Sequence, residues 1–267
     1  MHAADILADL VAEQHDLDTI VAGLTEEEWS LSTASPRWTV TDQVAHLTYF
    51  DNTATMAISD PDGFRASVDE LFGQAGGGDG AIDELTLAAV RQLPVDERVV
   101  AWRAGRAALV NAAADLDDDT RVPWYGPSMG AKSFLTARLM ECWAHGQDIV
   151  DAVGAERQAT DRLRHIAQLG YITRGWTYAN RRIDAPEAEI RVELASPSGE
   201  AWTWGPDNAD ERVTGTALDF CLVATQRRHL DDTALVATGE AAQDWLLKAQ
   251  AFAGPPTEGP DAGTFAG

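Results

Sequence analysis

A change of period most restricts what this chain can fold into. Up to about residue 182, apolar residues recur every three or four positions, the repeat of helices that bury one face. After Pro186, the stretch Glu189-Ile-Arg-Val-Glu-Leu194 alternates, Ser196-Pro-Ser-Gly199 turns, and Glu200-Ala-Trp-Thr-Trp-Gly205 alternates again. That is the pattern of a β-hairpin. The expected architecture is therefore α+β overall: an N-terminal helix bundle over residues 1–155, a connecting helix across 156–186 and a small C-terminal α+β domain over 187–253. Residues 254–267, rich in Gly and Pro, are expected to form a flexible tail.

Within the first part, Ile6, Leu7, Leu10, Val11, Leu17, Ile20 and Val21 mark a helix over 3–22. Thr25 and Glu28 read as a capping box. Thr39 or Thr41 caps a helix running to about Ser59, where Asp60-Pro-Asp-Gly63 breaks it. A helix over 64–74 follows, then the flexible glycine run Gly76-Gly-Gly-Asp-Gly80. No Lys-Ser/Thr pair follows that run, so it is no phosphate-binding loop. Pro94 starts a helix over Val95–Leu116, and the aromatic loop 123–130 leads into a helix at about 131–153. Four main helices make an antiparallel bundle. In the second part, Asp210-Glu-Arg-Val-Thr-Gly215 offers a third strand, with helices over Thr216–His229 and Glu240–Ala253.

The chain carries 20 basic against 43 acidic residues, a net charge of −23. Such a surface repels phosphate backbones and anionic lipid, so nucleic acid and membrane are not expected partners. No window approaches the ~18 uninterrupted apolar residues of a membrane span. The first residues lack a basic stretch followed by an apolar run. Cys142 and Cys221 are the two cysteines, far apart and outside any Cys-x-x-Cys motif, and both read as small buried apolar residues. A reducing cytoplasm is the expected location. A monomer or a homodimer is consistent with the sequence.

The chemistry concentrates in Arg138-Leu-Met-Glu-Cys-Trp-Ala-His-Gly-Gln-Asp-Ile-Val-Asp151. Glu141 and His145 are four apart and lie one above the other on a helix, with Asp148 on the same stripe. A carboxylate and an imidazole one turn apart can grip a divalent metal. Upstream, Trp38-Thr-Val-Thr-Asp-Gln-Val-Ala-His-Leu47 places His46 on a second amphipathic helix. His46, Glu141 and His145 together would form a two-histidine, one-carboxylate site with open positions, the arrangement of a catalytic metal. Zinc is the first expectation, with nickel and iron compatible with the same donors. Asp148 has two readings: acceptor for the second ring N–H of His145 or His46, or a local network cap without a part in chemistry.

These two segments resemble the metal signature of the DinB-like metal-binding four-helix-bundle superfamily. The similar branch is the mycothiol-dependent maleylpyruvate isomerase type, whose ligand positions fall on His46, Glu141 and His145. The C-terminal segment resembles the small α+β domain that the isomerase carries after its bundle. The resemblance implies a metal- and thiol-dependent enzyme. Its co-substrate would be a low-molecular-weight thiol such as mycothiol, and its substrate a small electrophilic or unsaturated keto acid. Thiol addition to the conjugated double bond, rotation and thiol loss would give cis-to-trans isomerisation. Thiol transfer to an electrophile needs the same site without the elimination, and a metal- or ligand-binding module without chemistry is the third reading. An anionic keto acid also asks for a cationic anchor. Arg227 and Arg228, at the end of the helix over 216–229, are the candidates, with Arg103 and Arg106 as rivals. The other reading of Arg227 and Arg228 is compensation of a helix dipole.

Overall fold

In the computed structural model, which describes residues 2–76 and 79–265, the chain divides into two compact units, Met1–Glu156 and Arg157–Gly267. The glycine run lies partly outside the described residues, as do the last two residues of the tail.

The first unit is helical. Its elements are α1 (Ala3–Val21), the single turn α2 (Glu26–Trp29), α3 (Val40–Ser59), α4 (Pro61–Ala75), α5 (Asp79–Arg91) and α6 (Val95–Ala113). A two-stranded ribbon, β1 (Arg121–Val122) and β2 (Met129–Gly130), then leads into α7 (Ala131–Val153). Helices α1, α3, α6 and α7 make the bundle, and α5 packs against α3. The apolar stripes meet at its centre: Leu10 and Leu17 of α1, Val44 and Leu47 of α3, Trp102 and Leu109 of α6, and Leu135, Leu139 and Ile149 of α7 are all buried.

The helix starts that matter are chemically fixed. Thr25 and Glu28 form the expected capping box. Asp60 ends α3 and caps α4, accepting the Gly63 N–H, with Pro61 as the first residue of α4. At the start of α3 the Thr39 N–H donates to Asp42 Oδ2 at 2.8 Å, and Arg91 of α5 donates to the other oxygen of Asp42 at 2.6 Å. The register of α3 is thereby tied to α5.

Asp118 similarly tethers the start of α1. It accepts the Ala3 N–H at 2.7 Å and pairs with His2 at 3.0 Å and Lys132 at 3.3 Å. The Ala3 N–H, then His2, then Lys132 hold its carboxyl down at about 2. A depressed carboxylate contributes stability that is present above its ordinary value and lost as pH falls through the folded value. Amide exchange in the first turn of α1 is therefore expected to accelerate as pH drops from about 4 towards 2. Unchanged protection, after correction for intrinsic rates, would contradict this.

The second unit carries the period-two segment. It begins with α8 (Leu163–Ile172) and α9 (Arg174–Arg181). The single connecting helix expected from the sequence is thus two helices, broken at Thr173 and packed within this unit. Strands β3 (Ile190–Ala195) and β4 (Ala201–Trp204) form the hairpin, with Val192 opposite Trp204. Strand β5 (Glu211–Thr216) pairs parallel to β3, Ile190 beside Glu211. Helix α10 (Ala217–Ala224), a 3-10 turn at Leu230–Asp232, β6 (Val236–Thr238) and α11 (Glu240–Lys248) complete it. The sheet order is β4-β3-β5-β6. Ile190, Val192 and Leu194 point one way and are buried, as the alternation requires. The described residues after Ala253, 254–265, form no helix or strand, yet Thr257 bonds to Gln226, and the Gly263 N–H donates to Asp232. None of the described helices is long and apolar enough to cross a membrane.

Candidate metal centre

Helices α3 and α7 pack against each other, and this brings His46 to the Glu141–His145 pair. Glu141 Oε2 lies 3.3 Å from His46 Nε2 and 3.0 Å from His145 Nε2. One ligand atom from each residue lies within 4.8 Å of the other two, the one such cluster among the described residues. Bonds of ~2.0–2.2 Å to a shared ion imply separations of ~3–4 Å, so two of the three contacts already have that spacing. The side chains keep between 11% and 22% exposure, so the site is shielded but reachable.

Electrostatics prepare the donors. Burial, then the fields of His145 and Arg138, push His46 down to about 3, so its imidazole is neutral near pH 7. Burial would raise Glu141, but the two histidine rings beside it outweigh burial and hold the carboxyl well below its ordinary value. The set therefore offers a neutral imidazole and an ionised carboxylate, the forms a metal needs. His145 Nδ1 lies 2.6 Å from Gln43 Oε1, the hydrogen-bond geometry of an Nδ1–H donating to that amide oxygen. Its Nε2 is then the lone-pair nitrogen of the neutral ring. A bare lone pair and a carboxylate oxygen at 3.0 Å repel unless a proton or cation lies between them. The donor set thus fits a divalent cation.

Aromatic rings flank the cluster. Trp38 lies 5.2 Å from the His46 ring and 5.8 Å from His145, and its indole N–H donates to Asp83 of α5. Phe50 lies 4.5 Å from His46 and 5.4 Å from Tyr125 of the aromatic loop.

The bundle matches, over residues 10–150, the family model described as the mycothiol maleylpyruvate isomerase N-terminal domain. The chain belongs to this family. Two curated relatives, uncharacterized proteins of two Mycobacterium tuberculosis strains, are each 44% identical over 95% of this chain and 97% of their own. Among solved structures, the mycothiol-dependent maleylpyruvate isomerase and a mutant of it share the fold. Their TM-scores are 0.57 and 0.59 at 18% identity, covering 85% and 88% of this chain and 90% and 93% of theirs. A second family model, described as wyosine base formation, matches residues 186–238, the strands of the second unit. The DinB-like resemblance read from the two helix segments thus agrees with the family assignment and the fold.

In this family member the other sequence candidates are placed as follows. Asp148 stands one step back from the cluster: its Oδ2 is 3.8 Å from His145 Nδ1 and accepts a hydrogen bond from Ser35. Arg103 and Arg106 bind Asp18 of α1, and Arg106 also donates to the Gln14 carbonyl. Arg227 and Arg228 lie in the second unit, beyond α10. That helix stops at Ala224, short of the expected His229. Gln226 takes a left-handed conformation, and the N–H groups of Gln226 and Arg227 turn back to the carbonyls of Val223 and Leu222. This is a Schellman closure without glycine. Arg227 donates to the Thr225 carbonyl, and Arg228 lies over the Phe265 ring.

The reading from sequence passed over Gln43 and Arg138. Gln43 sits one helical turn before His46, but an uncharged amide at that spacing carries no signal of its own. Arg138 sits one turn before Glu141 and is buried against Asp51.

Proposed function

We propose that this chain is a metal- and thiol-dependent enzyme of the mycothiol type, acting on a small electrophilic or unsaturated keto acid. Isomerisation of a maleylpyruvate-like cis substrate is its reaction in this proposal. The observation that carries it is the convergence of His46, Glu141 and His145 inside a bundle of this family. A divalent ion, zinc in the first instance, would supply stabilisation of a bound thiolate and polarisation of a carbonyl oxygen.

The chain's own residues do the rest. His46 and His145 present ring nitrogens, and Glu141 adds the negative charge that favours a cation there. Trp38 and Phe50 limit water around the histidine rings and leave the exposed side for thiol and substrate. Asp148 supports the site from behind through Ser35. Arg227 and Arg228 keep the role of carboxylate anchor in this proposal, since a guanidinium can grip a carboxylate through two parallel hydrogen bonds. The bundle's own basic residues have acidic or polar partners. Arg37 pairs with Asp83, Arg65 with Asp62, Arg91 with Asp42, Arg103 and Arg106 with Asp18, Lys132 with Asp118 and Arg138 with Asp51. Arg98 donates to Thr41, and Arg121 to Ser128.

The same engagement, together with the aromatic flanks, favours a second reading: thiol transfer to an apolar electrophile that needs no cationic anchor. One experiment separates the readings. Zinc-loaded protein is supplied with mycothiol and a panel of cis-unsaturated keto acids and apolar electrophiles. A thiol-dependent trans isomer is expected, with turnover of anionic substrates reduced about 10–100-fold in Arg227→Ala or Arg228→Ala, the scale of a lost charge-assisted hydrogen bond. An accumulating thiol adduct identifies the transferase. No turnover of any member identifies a binding module.

A further inference from the structure

We propose that Gln43 is a positioning residue that locks the tautomer of His145, at the end of a hydrogen-bond relay beginning at Asp148. The inference rests on the reading of His46, Glu141 and His145 as metal ligands, and adds what makes one of them competent.

The relay follows from counting protons. The Ser35 hydroxyl donates to Asp148 Oδ2 at 3.3 Å, and the Thr33 hydroxyl donates to the Trp38 carbonyl at 3.1 Å. A hydroxyl has a single proton, so both oxygens turn only lone pairs towards Gln43. The Gln43 amide meets them at 2.8 Å (Thr33) and 3.1 Å (Ser35), and only its NH2 end can face two lone-pair donors. The amide oxygen is thereby directed at His145 Nδ1, 2.6 Å away, which must carry the proton. The lone pair of the neutral imidazole then falls on Nε2, the atom that faces Glu141. Gln43 is fully buried, so no solvent competes for either end of its amide.

The scaffold of the relay is equally fixed. Thr33 and Ser35 lie on the loop before α3, closed by a bridge between Ser32 and Thr39 and by the Trp38 N–H donating to the Ser35 carbonyl. Pro36 and Arg37 are the central residues of that turn, and Arg37 adopts a positive φ of 69°. This is the pattern of a type II turn, whose third residue is usually glycine. Asp148 lies one turn beyond His145 on α7, so the relay starts and ends on one helix and passes through the loop and α3. In metal sites generally, the group that takes the second ring N–H sets the tautomer and the ring orientation of the ligand. Here an amide has that place, and the carboxylate acts through it.

The test compares Gln43→Leu and Gln43→Glu by zinc affinity, measured against a chelator, and by proton–nitrogen correlation NMR of His145. Gln43→Leu removes the acceptor and is expected to weaken zinc about 10–100-fold, whereas Gln43→Glu keeps an oxygen there and should stay within about threefold of wild type. A merely structural amide would give the reverse order, because a new buried charge disturbs packing more than an isosteric apolar chain. In zinc-loaded wild type the His145 ring proton is expected on Nδ1. Should Gln43→Leu fail to fold, the Gln43→Glu affinity and the wild-type spectrum decide. A proton on Nε2, or equal weakening in both variants, overturns the inference and leaves the metal site standing. Absence of zinc binding by wild type overturns both.

Discussion

Changing Glu141 to glutamine is expected to weaken zinc binding by more than about a hundredfold, beyond the about 10–100-fold cost of losing an outer contact. Glutamine keeps the shape but removes the one anionic donor, and its amide can present an NH2 group to the same space. In the native chain Glu141 Oε2 is within 3.3 Å of both histidine Nε2 atoms, and among the described residues Glu141 is the one carboxylate in the cluster. Mycothiol-dependent turnover should fall in parallel, and the helical circular-dichroism signal should persist. Chelator competition gives the affinity, and a dissociation constant within about tenfold of wild type, roughly 1.4 kcal/mol, would contradict the assignment.

The second large effect lies deeper in the bundle. Arg138 donates to Asp51 at 3.2 Å with both side chains almost fully buried, and Gln14 donates to the other Asp51 oxygen. The pair is incompletely satisfied: the Arg138 Nε–H has no hydrogen-bond partner among the described residues. Burial raises Asp51 despite the adjacent guanidinium, the direction expected where desolvation outweighs the attraction of a buried pair. The two partners are therefore not equivalent. Removing Asp51 strands a guanidinium that cannot shed its charge, and Asp51→Ala is expected to destabilise the bundle by about 3–5 kcal/mol. Arg138→Met should cost less, because Asp51 can take up a proton. The double replacement Asp51→Leu with Arg138→Met should lie near wild type. Native-state hydrogen exchange of the α3 and α7 amides under mild urea reads these differences. A larger loss for Arg138→Met than for Asp51→Ala would refute the ordering.

What was legible in the sequence had a local signature. Glu141 and His145 are related by one helical turn, and His46 lies in a strongly patterned helix, so the three candidate donors that the structure brings together could be named from sequence. Gln43 was not, because an uncharged amide on a helix looks like any polar position. Its meaning comes from Thr33 and Ser35 on a separate loop and from a ring on a separate helix. The Arg138–Asp51 pair was hidden for a similar reason, since charged residues are taken as solvated until a partner is seen. The hairpin of β3 and β4 was plain from alternation. The parallel pairing of β3 with β5 is non-local, and β6 has three residues with Val236 exposed, too short to show a period. The early stop of α10 turned on Gln226 adopting a conformation usually reserved for glycine or asparagine, which no residue type announces.

The central claim is that His46, Glu141 and His145 hold one divalent cation. It is tested most directly by anomalous X-ray diffraction from crystals of the zinc-loaded protein, collected on both sides of the zinc edge. One strong peak per chain is expected, bonded to His46 Nε2, His145 Nε2 and a Glu141 carboxylate oxygen at about 2.0–2.2 Å. Zinc bound elsewhere, or an ion held by only one of the three, would contradict it.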